Sequence, residues 1–241
     1  MNANDILAAA QAVSVALSPQ QSDALLTYRN LLVEWNARFN LTALTDDASI
    51  LSLHFADSLT LVPMIRALGS EAAATLLDVG TGGGFPGIPL KIALPRLTVT
   101  VMDGTTKKVQ FCTEVIRTLK LNNATALHGR AEEAAHQPAH REYYDLVVAR
   151  AVAPMPTLVE YLLPFAKVGG HVIAMKGSDA RAETEQATQA IQTLGGTVEQ
   201  IEDAALPGRA DKRALILIRK VRPTPKLYPR QGGAPRNNPL K

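Results

Sequence analysis

Leu76-Leu77-Asp78-Val79-Gly80-Thr81-Gly82-Gly83-Gly84-Phe85-Pro86-Gly87 joins an apolar run to an acid and then to a cluster of glycines. Residue types in that order open a buried strand onto a nucleotide-sized ligand. Glycine tolerates positive φ and has no Cβ, so backbone N–H groups can come up against the ligand. Polar residues also close the apolar runs downstream. Asp103 follows 98–102, where a carboxylate can accept hydrogen bonds from both hydroxyls of a ribose. Ala131 and Glu132 follow the next run, where backbone and carboxylate can meet an adenine edge; a helix start with favourable acids is the competing explanation. Arg150 ends 144–149, a place where arginine binds an anion or carboxylate. Lys176 ends 170–175 and can reach phosphate, unless it is a plain strand-end lysine.

Two chemistries fit the glycine spacing. Gly82-x-Gly84-x-x-Gly87 matches the dinucleotide fingerprint and implies an NAD(P)-dependent oxidoreductase. Asp78-x-Gly80-x-Gly82-x-Gly84 matches the S-adenosylmethionine loop of class I methyltransferases. Asp103 serves either ligand, since both carry an adenosine ribose. The remainder of the chain leans toward methyl transfer. It shows no Ser/His/Asp constellation and no carboxylate pair, and its histidines (54, 128, 136, 140, 171) lack metal-ligand spacing. A dehydrogenase needs a proton relay beside its nicotinamide. A ring nitrogen with a free lone pair needs only to be aligned with the methyl group.

These groups need a scaffold that gathers strand ends. From Thr75 onward, strand patterns at 75–79, 98–102, 124–127, 144–149 and 170–175 alternate with helical ones at 86–94, 105–120, 155–166 and 179–194. Such alternation predicts a parallel, doubly wound sheet with its ligand crevice beyond the C-terminal ends of the strands. Residues 198–202 and 214–219 close the sheet as a hairpin-like pair across a Pro207-Gly208 turn. Upstream, Ser18-Pro19-Gln20-Gln21 is a capping box with proline at the first helical position. Leu25, Tyr28, Leu32, Trp35 and Phe39 then recur at helical spacing, and a further helical segment runs from Asp47 to Leu68. The chain thus divides into an N-terminal helical cap at 1–70, a ligand-binding domain at 71–221 and a tail at 222–241.

At 241 residues, 46% hydrophobic and 20% charged, the chain is neither disordered nor fibrous in composition. No apolar run approaches a membrane span, and the start lacks the basic region of a signal peptide. Cys112 alone forms no internal disulfide and reads as a small core residue in a reducing cytoplasm. With no obvious interface stripe, a monomer is expected. The net charge of +3 hides an asymmetry: Arg219, Lys220, Arg222, Lys226, Arg230, Arg236 and Lys241 crowd the end of the chain without one acid, leaving 18 basic against 22 acidic residues elsewhere. A basic tail on a mildly acidic body suits a polyanionic partner, or is simply a solvated tail. Rich in Pro, Gly and Asn, it is expected to stay flexible until it binds.

Taken together, these residues resemble the RsmG (GidB) family of 16S rRNA guanine-N7 methyltransferases. The likeness runs from Trp35-Asn36 through Asn40-Leu41-Thr42 and His54-x-x-Asp57-Ser58 to the Gly84-Phe85-Pro86-Gly87-Ile88-Pro89 segment, which is specific to the family. It continues through Asp103, Lys107-Lys108, Leu121-Asn122, Arg130-Ala131-Glu132, Ala149-Arg150-Ala151 and Lys176-Gly177 to the Pro225-Lys226-x-Tyr228-Pro229-Arg230 ending. Gly104 stands where the family usually has serine, and 134–142 is longer than in some relatives. The resemblance implies a class I S-adenosylmethionine-dependent methyltransferase fold: α/β, Rossmann-like, a mostly parallel seven-stranded sheet with an N-terminal helical extension. It implies S-adenosyl-L-methionine contacts at Gly80, Phe85, Ala131, Glu132 and Arg150, beside the Asp78, Gly82, Gly84 and Asp103 read from the loop and the strand ends. Its substrate would be 16S rRNA, free or in a 30S assembly particle. Lys176, Arg222, Lys226, Arg230 and Arg236 would hold RNA phosphates. No single catalytic side chain is required, and Arg150 and Asp57 are the first candidates. A non-catalytic RNA-binding assembly factor on the same scaffold is the third reading.

Overall fold

Two helices begin on reciprocal caps. Asn2 accepts from the N–H of Asp5 at the head of α1 (Ala3–Ala12), and Ser18 accepts from that of Gln21 at the head of α2 (Pro19–Phe39); each partner side chain answers the cap's own N–H. A computed structural model describes residues 1–70, 74–206, 208–210 and 212–240. After α2 the chain is helical from Asp47 to Ala67, but in pieces: α3 (Asp47–Ser49), a π-helical segment (Ile50–Ala56), α4 (Asp57–Leu59) and α5 (Leu61–Ala67). The wide turns end at His54, Phe55 and Ala56 and run into Asp57, Ser58 and Leu59 of α4, six consecutive buried residues, so no single amphipathic face exists there. By length and a mean hydropathy of 1.4 this run could cross a membrane, contrary to the sequence expectation. In the fold 67% of its 18-residue apolar window is buried inside the protein.

Seven strands follow: β1 (Thr75–Val79), β2 (Thr98–Asp103), β3 (Ala124–His128), β4 (Tyr144–Arg150), β5 (Ala166–Lys176), β6 (Gly196–Ala204) and β7 (Arg213–Lys220). They form one sheet in the order β3-β2-β1-β4-β5-β7-β6. Pairing is parallel from β3 to β5, and β7 runs antiparallel to both β5 and β6. The β6–β7 pair is the expected hairpin-like closure; Pro207 of its expected turn lies outside the described residues. Between the strands lie α6 (Gly87–Ala93), α7 (Thr106–Thr118), α8 (Ala131–Ala134), α9 (Met155–Leu162), α10 (Ala180–Gln186) and α11 (Thr188–Thr193). The helix expected at 179–194 is therefore two.

Strand side chains alternate between faces, so each strand feeds two cores. Leu76, Val99, Val101, Leu146, Val148 and Ile173 pack with α2 and the 47–67 run. Leu77, Val147, Ala149, Val172, Ile216 and Ile218 pack with α9 and α11. The N-terminal helices thus complete one of the two cores.

The tail corrects an expectation. Instead of hanging free, it lies along α9 and ends in a short helix, α12 (Ala234–Asn237). Glu160, fully buried on α9, accepts from Arg230 at the backbone N–H (2.8 Å), at Nε (2.9 Å) and at Nη2 (2.7 Å). Thr157 Oγ1 donates to the Pro235 carbonyl at 2.8 Å, and Arg141 donates to the carbonyls of Thr224 and Tyr228, both at 2.9 Å. The physical reason lies in the acidic body: a buried carboxylate in a helix that is otherwise largely apolar needs a cation, and the tail supplies it.

Candidate functional site

The glycine loop after β1 is fixed from below. Asp78 Oδ2 accepts from Thr81 Oγ1 at 2.6 Å and from the Gly87 N–H at 2.8 Å, tying the two ends of the loop together. Burial pushes the Asp78 carboxyl up to about 6, and its Oδ1 has no hydrogen-bond partner among the described residues. Tyr28, from α2, donates its hydroxyl to the Gly83 carbonyl and stacks on Phe85 at 5.2 Å. Gly84 has φ +96°, and a Cβ there would fall 2.5 Å from the Tyr28 hydroxyl. Only glycine fits.

Above the loop a cavity of about 400 Å³ opens at the ends of β1, β2 and β3, lined by Gly80, Asp103, Gly129, Ala131, Glu132 and Val152, among others. Asp103 accepts from the Gly82 N–H (3.0 Å, Oδ2) and the Thr105 N–H (2.8 Å, Oδ1), which holds its carboxylate at the cavity wall. Gly80 has φ +71°, and an added Cβ would meet Val152 Cγ2 at 2.7 Å. A carboxylate set for a diol, walls without side chains at Gly80, Gly104 and Gly129, and this volume fit an adenosyl ligand.

A second cavity, about 490 Å³, lies on the other side of the β4 end and includes His54, Asp57, Arg150, Ala151, Lys176 and Arg213 in its wall. Arg150 is held three ways: Nη1 donates to Leu53 O (2.6 Å) and Asp57 Oδ2 (2.8 Å), and Nη2 donates to His54 Nδ1 (3.1 Å). An arginine only donates, so His54 Nδ1 is the acceptor. Its Nε2–H then donates to Thr42 Oγ1 at 3.0 Å. The His54 ring stacks on Phe85 (4.2 Å between centroids, 8° between planes), with the Arg150 guanidinium 5.4 Å from the same ring. Asp57 is 4% exposed and also lies 3.6 Å from Arg213.

Burial, with the Arg150 charge behind it, lowers the His54 pKa to about 3. Folding therefore holds the imidazole neutral, while the unfolded chain takes up a proton below the ordinary value of 6.5. Stability from this group is full above pH 6.5 and is lost as pH falls toward 3. Unfolding in urea across pH 6.5 to 4.5 should show the native chain losing up to about 1.4 kcal/mol per pH unit more than His54→Gln. Parallel pH profiles for the two proteins would contradict this.

The sequence-predicted residues fall into three places. Gly80, Asp103, Ala131 and Glu132 share the first cavity. Asp78, Gly82, Gly84 and Phe85 do not line it: Asp78 ties the loop through Thr81 and Gly87, and Phe85 packs on His54. Arg150 joins Asp57 at the second cavity. Lys176 turns inward, donating to Ala153 O at 3.0 Å and pairing with Glu183 at 2.6 Å. Arg230 is spent on Glu160, and Arg236 lines the first cavity; Arg222 and Lys226 are exposed on the tail. Sequence reasoning assigns no role to Tyr28, His54 or Arg213. The His54-x-x-Asp57 spacing, one turn of helix, carries the signal for His54.

A sheet ordered β3-β2-β1-β4-β5-β7-β6, with the glycine loop after β1 and an acid ending β2, defines the class I S-adenosylmethionine-dependent methyltransferase fold. Solved structures share it: TrmN from Thermus thermophilus superposes with a TM-score of 0.53 at 17% identity, over 71% of this chain and 53% of that one. YcgJ from Bacillus subtilis superposes at 0.51 with 14% identity, over 67% and 98%. The family follows from sequence. The model described as rRNA small subunit methyltransferase G matches residues 21–214. A protein named ribosomal RNA small subunit methyltransferase G from Acetivibrio thermocellus is 45% identical over 235 residues, 98% of this chain and 95% of that one. Its namesake from Leuconostoc citreum is 43% identical over 240 residues, all of both chains. The chain belongs to the rRNA small subunit methyltransferase G family, which selects methyl transfer over the hydride-transfer reading of Gly82-x-Gly84-x-x-Gly87.

Proposed function

We propose that this chain transfers a methyl group from S-adenosylmethionine to N7 of a guanine in 16S rRNA. The carrying observation is that the two cavities meet at consecutive residues: Ala151 lines the second and Val152 the first. The bound cofactor supplies an electrophilic methyl group on a sulfonium. Asp103 holds the ribose hydroxyls, Ala131 and Glu132 meet the adenine, and Gly80 lets the ligand approach the backbone. Arg150, fixed by Leu53, His54 and Asp57, shapes the second cavity for the guanine. N7 carries a free lone pair, so no base has to remove a proton, and alignment is the main requirement. Methylation leaves the ring positive; of the three carboxylates in the cavity wall, Asp57 faces Arg150 and Arg213 and Glu183 pairs with Lys176, so Asp179 is the one left to oppose that charge.

The same reading divides the chain into a helical cap at 1–70, the methyltransferase domain at 71–221 and the docked tail at 222–241. It takes the chain as a monomer in the cytoplasm, away from membranes, acting on 16S rRNA, free or in a 30S assembly particle. Tritiated S-adenosylmethionine should label unmethylated 30S particles or their 16S rRNA; label on neither would sink the proposal. Of the tail's cations, Arg222 and Lys226 are the exposed candidates for phosphate, although the Arg222 guanidinium also donates to the Gln192 carbonyl. Replacing both by alanine should reduce the log-affinity against log-salt slope for RNA by about 0.7–0.9 for each phosphate left without its cation. An unchanged slope would make them bystanders.

A further inference from the structure

The end of the tail is built into the first cavity. Gly233, Arg236 and Asn237 line it together with Asp103, Ala131 and Glu132, although the tail lies beyond the family match at 21–214. Its position is fixed, not draped. Arg230 grips the buried Glu160 and donates from Nη2 to Asn238 O at 2.8 Å, while Thr157 Oγ1 holds Pro235 O at 2.8 Å. These anchors lie on both sides of Arg236 and Asn237 in sequence. Among the described residues, no side-chain hydrogen bond or ion pair engages the Asn237 carboxamide or the Arg236 guanidinium.

We infer that Asn237 and Arg236 form the adenine-recognising wall of the cofactor cavity, so the tail serves the cofactor rather than the RNA at these two positions. A carboxamide presents a donor and an acceptor side by side, which matches the amino group and neighbouring ring nitrogen on an adenine edge. A planar guanidinium at the rim stacks on a purine face. Asp103 holds the ribose from the sheet side, and the tail completes the enclosure. The inference rests on the first cavity being the cofactor site.

Calorimetry on the full chain tests it with two probes, S-adenosylhomocysteine and S-inosylhomocysteine, in which a carbonyl replaces the adenine amino group. The native chain should prefer the adenine compound. Asn237→Ala should weaken S-adenosylhomocysteine binding by about tenfold and erase that preference, while Arg236→Ala weakens both ligands alike. Both residues are exposed, so urea midpoints should not move. Asp103→Asn separates the tail's role from the cavity's. If it weakens binding while both tail variants keep native affinity and preference, the tail inference is overturned and the cavity assignment stands. If Asp103→Asn also binds like the native chain, the cofactor lies elsewhere and both fall.

Discussion

Arg150→Ala should lower the methyl-transfer rate about a hundredfold or more while leaving S-adenosylhomocysteine affinity within about threefold of native. The side chain lines the second cavity, where the guanine is placed, and its guanidinium is committed to Leu53, His54 and Asp57. Removing it frees His54 Nδ1 and leaves Asp57 facing Arg213 alone among the pairs described. The aromatic platform of His54 on Phe85 then loses its fixed edge. Single-turnover kinetics together with calorimetry separate the two effects. A large loss of cofactor affinity with an unchanged single-turnover rate would instead put the guanidinium on the cofactor.

Arg230→Ala should destabilise the protein by about 3–5 kcal/mol, the cost of leaving a buried charge without its partner. Glu160 has no solvent-exposed surface and receives four hydrogen bonds from Arg230, three of them from the guanidinium. The Glu160→Gln, Arg230→Ala double variant should recover part of the loss, because a neutral amide is cheaper to bury than a carboxylate. Urea unfolding of the four proteins in the cycle measures this. Equal losses in the single and double variants would mean that the tail contributes packing alone.

The central strands β1, β4, β5 and β7 are legible in the sequence because a sheet covered on both faces writes such strands with short apolar runs, whereas β2, β3 and β6 mix polar residues into theirs. A polar residue then ends the run at the crevice: Asp103, Arg150 and Lys176 all do so. β5 begins earlier than its apolar run, at Ala166, because Ala166 pairs with Tyr144 across an irregularity that periodicity does not show. The segment over 47–67 reads as one helix, since a π-helical turn leaves the same composition and only displaces the faces. The loop and its acid are legible as chemistry, but not the difference between lining a cavity and holding the loop beside it. Asp78 and Phe85 do the latter through Thr81, Gly87, Tyr28 and His54.

The tail departs from its expected freedom for a physical reason. Charge alone does not distinguish an arginine bound for RNA from one bound for a buried acid. Glu160 sits in the apolar stretch Met155–Leu162, seventy residues before its partner, and no local spacing announces the pair. Arg236 and Lys176 carry the same lesson. Their sign groups both with phosphate ligands, yet the fold turns one to the first cavity and the other to Glu183.

Where the methyl group goes decides most directly between this chemistry and any other. Unmethylated 30S particles treated with this protein and S-adenosylmethionine can be reduced with borohydride and cleaved with aniline, which cuts RNA at N7-methylguanosine. A single new break in 16S rRNA, absent when Arg150→Ala replaces the native chain, is the predicted result. Incorporated label with no such break, or label on a nucleotide other than guanine, would contradict it.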